Sequence, residues 1–269
     1  MDKSKPLAKK IRLRALEMAN LGGGSHIGSV LSIADILGVL YSGILRVRVE
    51  DPSYVDRDRF ILSKGHAGAG LYAALAENNF FSVELLKTHY QNGSNLSGHV
   101  SHKNLNGVEF STGSLGHGLP VSCGIALAGK LDKKEFKTYC LLGDGECDEG
   151  SNWEAMLFAA HYQLNKLIAI IDYNKLQSLG TVANTLGLEP LKQKWESFGW
   201  EVFEVDGHSH QELKKVFEAP LNANKPRCVI CHTTKGKGVS FMEDSVLWHY
   251  RSPQGEEYIN AVKQVGSSY

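Results

Sequence analysis

The chain has 269 residues, enough for one large α/β domain or two small ones with a substantial buried core. Its 29 Lys and Arg balance 29 Asp and Glu, and a formal net charge of +0 gives no electrostatic reason for nucleic acid or an anionic membrane as partner. Hydrophobic residues at 42% and aromatics at 9% describe a soluble globular protein and exclude a disordered one.

In chain order, a Lys-rich start over residues 1–10 is expected to be flexible, with the folded domain covering 11–269. The start is basic but lacks the apolar core and cleavage site of a secretory signal, so a cytoplasmic protein is expected. A helical pattern runs through Leu21 and ends at Gly22-Gly23-Gly24. The most apolar stretch, residues 30–47, carries Asp35 and several Ser and Gly, and reads as a buried amphipathic helix rather than a membrane span. A helix is predicted over 32–41, then a charged turn, DPSYVDRDR, in which the surroundings of Arg57 are expected to be solvated. The apolar run Phe60-Ile61-Leu62 leads into a loop, SKGHAGAG, and residues 67–79 are helical in pattern.

From Gln91 to Gly118 the chain is loop-like, which inside a compact domain points to function. Regular alternation follows: helices over 119–129, 151–162, 191–198 and 210–219, and strands over 138–142, 167–171, 201–205 and 227–232. Short, continuously apolar strands such as LIAII and CVIC separated by helices indicate a parallel sheet covered on both faces. The fold class is therefore α/β, a doubly wound parallel sheet with ligands at the carboxyl ends of its strands. The five cysteines, Cys123, Cys140, Cys147, Cys228 and Cys231, suit reduced thiols. Cys228 and Cys231 form a CxxC on a strand, where positions three apart face opposite sides, so they are not read as a redox or metal pair.

The strongest chemical signal is YCLLGDGECDEGSNWEAMLFAAHYQLNKLIAIIDYNKLQ. One strand ends in Gly143-Asp144-Gly145, an acidic loop opens a helix, and the next strand ends in Asp172-Tyr173-Asn174. Asp144 and Asn174 then emerge on the same edge, and with a loop carbonyl near Leu176 they make an all-oxygen site for a hard cation such as Mg²⁺ or Ca²⁺. The glycines let the backbone approach a diphosphate, and the following helix N-terminus favours negative charge. GDG alone is a common turn; GDG–helix–strand–Asn in that order is far more specific.

That ordered pair resembles the thiamine-diphosphate site of transketolases, and other segments resemble the family in its order. They are SHIGSVLSIADILGVLY, SKGHAGAGLYAAL, LSGHV, TGSLGHGLP and KGKGVSFMEDSVLWHY, from about Leu16 to His249. The resemblance implies thiamine diphosphate as cofactor, with Asp144, Asn174 and the Leu176 carbonyl holding the metal. It places Gly143 and Gly145 beside the diphosphate, and Gly113, Ser114, Leu115 and Gly116 in the loop alongside the aminopyrimidine. His66 and His249 lie near the diphosphate and the reacting centre, and His26 and His99 contact sugar hydroxyls. Glu149 belongs to a subunit interface, in a network linking two active sites. His89, His102, His161, His208, His210 and His232 lack a matching motif and read as surface or structural. Lys235-Gly-Lys-Gly238 lacks the remaining residues of a phosphate loop, and its lysines are expected to face solvent.

Three departures stand out. SHIGS has isoleucine and serine where the common pattern has proline and glycine, so the floor of the sugar site is expected to differ. His117 replaces the usual glutamine, adding a titratable group close to the cofactor or a subunit boundary. The sequence ends at Tyr269, before the family's pyrimidine-binding domain, which supplies the glutamate that activates the cofactor. The resemblance therefore implies a split enzyme, with that domain on a separate chain in an α2β2 assembly. The implied reaction is transfer of a two-carbon ketol unit from a ketose or ketose phosphate to an aldose or aldose phosphate. Three alternatives stand beside it: a transketolase-like enzyme for a modified sugar, the α subunit of a 2-oxoacid dehydrogenase, and a non-catalytic binding module.

Overall fold

Five short strands frame the computed structural model, which describes residues 2–267. They are β1 (Arg59–Leu62), β2 (Thr138–Gly143), β3 (Leu167–Tyr173), β4 (Glu201–Asp206) and β5 (Arg227–His232). All pairings are parallel, in the order β1-β2-β3-β5-β4. The register sets Gly143 of β2 beside Asp172 of β3, so the GDG and DYN ends share one edge of the sheet.

The helices are α1 (Ser4–Gly22), α2 (Ile27–Val39), α3 (Gly68–Glu77), α4 (Gly118–Leu131), α5 (Gly150–His161), α6 (Val182–Thr185), α7 (Leu191–Ser197), α8 (His210–Glu218) and α9 (Glu256–Ser267). Alternation along the strands divides the core into two layers. Leu141, Ile168, Ile170, Val229 and Cys231 face a layer built with α1, α2, α3, α8 and α9. Leu142, Ala169, Ile171, Cys228 and Ile230 face the layer with α4, α5 and α7. Cys228 and Cys231 thus lie on opposite faces, both buried.

The segment expected as a flexible start is helical from Ser4, because Leu7, Ile11, Ala15 and Met18 form a buried stripe along α1. The second helix begins at Ile27 rather than 32 and runs on into one π-helical turn, Leu40–Ile44. The stretch Ile27–Ile44 is apolar and long enough to cross a membrane, but 83% of it is buried inside the protein. Its one charge, Asp35, is paired with Arg12 at 2.6 Å, His208 at 2.8 Å and His210 at 3.0 Å. The DRDR turn is not a solvated one. Asp58 is buried and accepts the N–H groups of Arg46 and Lys137, and Arg57 pairs with Glu109 at 2.8 Å. Residues 89–117 carry neither helix nor strand.

Candidate active site

At the carboxyl ends of β2 and β3 lies a cleft of about 260 Å³, and segments far apart in the sequence supply its walls. His26 enters from the N-terminal end of α2, His66 from the turn after β1, His99 and Gly113 from the irregular segment, and His249 from the 3-10 turn Val246–His249. His26 lies centrally, its ring 5.1 Å from His66, 5.8 Å from His99 and 4.8 Å from His249. It is held at φ +70, a left-handed conformation uncommon outside glycine, while its N–H donates to the His249 carbonyl at 2.7 Å. His99 is fixed through its backbone. The buried Tyr72 hydroxyl donates to its carbonyl and accepts from Ser101 N–H.

The floor holds two ionisable groups that make no ion pair among the described residues. Asp144 is 3% exposed, and its carboxylate accepts only backbone N–H groups, from Gly145 at 2.7 Å and Lys175 at 2.6 Å. Burial, reinforced by the negative charge of Asp172, pushes its pKa up to about 7. Lys235 is 1% exposed, and its Nζ donates to the carbonyls of Leu176 (2.8 Å) and Gln177 (3.4 Å) and to His249 Nδ1 (2.8 Å), with no carboxylate among its partners. Burial, with the charge of Lys64 nearby, lowers its pKa to about 8. Lys64, by contrast, is paired with Asp172 at 2.5 Å. Asp172 also accepts from Ser32 and Asn174, at 2.7 and 3.0 Å.

Three of the four histidines are neutral near pH 7. Burial foremost lowers His26 to about 4, His249 to about 3 and His66 well below its ordinary value. An ammonium group can only donate, so Lys235 requires His249 Nδ1 to be the acceptor and leaves the ring proton on Nε2. His26 Nδ1 is buried without a partner among the described residues.

One buried carboxylate joins the two glycine loops. Glu146 accepts Gly116 N–H (3.0 Å) on one oxygen and Gly143 N–H (3.1 Å) on the other, and Ser63 Oγ also donates to it. Gly116 has φ +80, and a Cβ there would stand 2.6 Å from that of Glu149. At Gly145 a Cβ would stand 2.9 Å from the Gln177 side chain, which would have to shift to admit it.

The structure brings together His26, His66, His99, His249, Gly113, Leu115, Gly143, Asp144, Gly145, Asn174 and Leu176. It leaves Ser114, Gly116 and Glu149 outside the lining; Ser114 and Glu149 are exposed. His117 is also outside and exposed, its Nδ1 3.0 Å from the Leu115 carbonyl. Lys235 corrects the expectation that both lysines of KGKG face solvent; only Lys237 does so in part, with Glu243 3.8 Å away. Sequence reasoning also missed Lys64, Glu146 and Tyr250. Lys64 and Glu146 sat within quoted motifs, SKGH and GDGE, where their charge beside glycine was the available signal. A larger hollow of about 880 Å³ near α1 and α9 shares no residue with this cleft. There Lys9, His208 and Lys237 are already engaged, with the Gly266 carbonyl, Asp35 and Glu243.

The described residues contain no cluster of three His, Cys, Asp or Glu that could chelate a metal alone. Asp144, Asn174 and the Leu176 carbonyl instead offer the mixed oxygen donors of a hard cation that keeps phosphate or water ligands. The unpaired ammonium of Lys235 fits an anion in the same cleft, and the buried His26 Nδ1 fits a polar ligand.

Comparison with known proteins shows the family. The family model for the transketolase thiamine diphosphate binding domain matches residues 3–267. The chain belongs to this family. It is 43% identical over 259 residues to one of the subunits of apulose-4-phosphate transketolase from Phocaeicola vulgatus, covering 96% of this chain and 92% of that one. It is 40% identical to a 6-deoxy-6-sulfo-D-fructose transketolase subunit from a Clostridium species, covering 96% and 94%. Among solved structures, transketolase from Leishmania mexicana superposes with a TM-score of 0.91 at 30% identity, over 99% of this chain. The present transketolase-family chain spans only 42% of that longer polypeptide. It is a diphosphate-binding subunit of transketolase type, a transferase component on the α/β thiamine-diphosphate fold.

Proposed function

We propose that the chain binds thiamine diphosphate through a divalent cation, Mg²⁺ or Ca²⁺, and transfers a two-carbon ketol unit from a ketose to an aldose when joined by a separate pyrimidine-binding chain. The observation that carries the reading is the pair of unmatched charges in one cleft. Among the described residues Asp144 is a buried carboxylate with no cation in ion-pair contact, and Lys235 a buried ammonium with no anion in ion-pair contact. A metal–diphosphate unit satisfies both at once. Asp144, Asn174 and the Leu176 carbonyl would hold the metal, and Lys235 the phosphate oxygens. When bound, thiamine diphosphate supplies an electron sink for breaking a carbon–carbon bond beside a carbonyl. The chain's own part is orientation and proton handling. His249 presents Nε2–H as a donor, and the neutral rings of His26 and His66 exchange hydrogen bonds with substrate hydroxyls without adding positive charge.

A partner chain is supported by exposed apolar side chains on α4, on α5 and just after it: Leu131, Leu157, Phe158 and Tyr162. The exposure of Glu149, the residue before α5, supports the subunit-boundary role that the resemblance gives it. An α2β2 assembly follows the same resemblance. The names of the two subunit relatives favour a modified sugar or sugar phosphate as one substrate. In calorimetry on the reconstituted complex with Mg²⁺, Asp144→Ala and Asn174→Ala are each expected to weaken thiamine-diphosphate binding by about 100-fold. Unchanged affinity in both variants would reject the site.

A further inference from the structure

We propose that Tyr250 is a specificity residue, its ring face packing against the carbon chain of the acceptor beyond the reacting carbonyl. This rests on the ketol-transfer reading. Residues 248–250 point three side chains to three different tasks. Trp248 is 3% exposed and turns inward, its Nε1 donating to the Phe241 carbonyl at 2.8 Å. His249 turns into the cleft toward Lys235. Tyr250 is 64% exposed yet lines the same cleft, with its ring 4.6 Å from that of His249 and 5.8 Å from that of His26.

Trp248 already does the packing, so a structural role leaves an exposed aromatic ring at the mouth unexplained. The base of the cleft is polar, with imidazoles that suit the hydroxyls nearest the reacting carbon. At the lip, a ring face offers the opposite chemistry. An extended sugar carries hydroxyls on some sides and C–H groups on others, and the C–H face gains from packing on an aromatic surface. The arrangement therefore reads a polyol in two steps, polar near the carbonyl and apolar farther out.

The test uses the complex reconstituted with its pyrimidine-binding chain and hydroxypyruvate as donor, which delivers the two-carbon unit with loss of carbon dioxide and has no distal chain. Glycolaldehyde, which ends one carbon beyond its carbonyl, is compared as acceptor with D-erythrose 4-phosphate and D-ribose 5-phosphate. Tyr250→Ala is expected to leave kcat/KM for glycolaldehyde near wild type and to lower it for the preferred longer aldose by about ten-fold, the scale of one lost apolar contact. Tyr250→Phe keeps the ring and is expected to keep the selectivity. Thermal melts and titration with the partner chain control for folding and assembly. An equal change for all three acceptors, or weaker assembly as the sole effect of Tyr250→Ala, would assign Tyr250 to the subunit interface and overturn the proposal. So would a Tyr250→Phe profile matching that of Tyr250→Ala, because the hydroxyl and not the ring would then be the reader. No transfer to any acceptor by the wild-type complex would instead remove the ketol-transfer reading, and the proposal with it.

Discussion

At the scale of residues, the site divides by whether function could be read from a motif or only from burial. The four histidines were legible because each stands in its own recognisable loop. Lys235 was not, since a phosphate-loop comparison of KGKG says nothing about a lysine buried by the turn that carries His249. That lysine gives a separable prediction. Lys235→Met would remove the proposed charge-assisted contact to the diphosphate and is expected to weaken cofactor binding by about 10- to 100-fold. Stability of the cofactor-free chain should change by less than about 1 kcal/mol, because relief from burying the charge offsets the lost contacts to two carbonyls and to His249 Nδ1. Denaturant unfolding beside calorimetry checks both halves. His89, read as surface or structural, is buried with neither ring nitrogen partnered among the described residues. Burial alone lowers its pKa to about 4. The unfolded chain thus binds this proton more readily, and stability is lost as pH falls from about 6.5 towards 4, by up to about 3 kcal/mol. His89→Phe should flatten that part of the acid limb; an unchanged limb in urea titrations at pH 7 and pH 5 would exclude His89 as its source.

Among the elements, strands were read more closely than helices. β5 matches its predicted span of 227–232 because a short apolar run has sharp polar edges. The last helix, α9, went unread. Its signal was present, since Tyr258, Ala261, Val262 and Val265 recur at helical spacing and pack against the core. The segment read as loop-like, Gln91 to Gly118, is irregular up to His117, Gly118 opening α4, but how it is held was not read. Glu146 fastens its end at Gly116 to the start of the diphosphate loop at Gly143. Gly116→Ala tests that fastening. A side chain at φ +80 costs about 1–2 kcal/mol, and the overlap with Glu149 and Ser151 adds about 1–3 kcal/mol. Destabilisation of about 2–5 kcal/mol is expected, together with a fall in cofactor affinity; normal affinity and stability in this variant would show that the loop tolerates the change.

For the molecule as a whole, the family and the parallel sheet were legible because ordered motifs span nearly the entire chain. The charge pairing at the cleft floor was not, since Asp172, Ser32, Lys64 and Thr233 meet only after α2, β1, β3 and β5 converge. Ketol transfer, measured by aldose release, should be absent for the chain alone and rise with added partner to a plateau at equimolar ratio. Stripping the complex with a chelator should abolish transfer, and Mg²⁺ with thiamine diphosphate should restore it; turnover by the single chain would place the activating acid within this sequence. The inert cysteines have a further use. Burial pushes the Cys123 thiol up to about 12 and the Cys140, Cys147, Cys228 and Cys231 thiols well above their ordinary value. Thiol reagents attack the thiolate, so alkylation of the native protein must wait for local opening. Cys231 and Cys228 then become clocks for the two sides of one sheet, and Cys147 for the loop beside Asp144. Labelling followed by mass spectrometry would time each layer's opening without a single engineered probe.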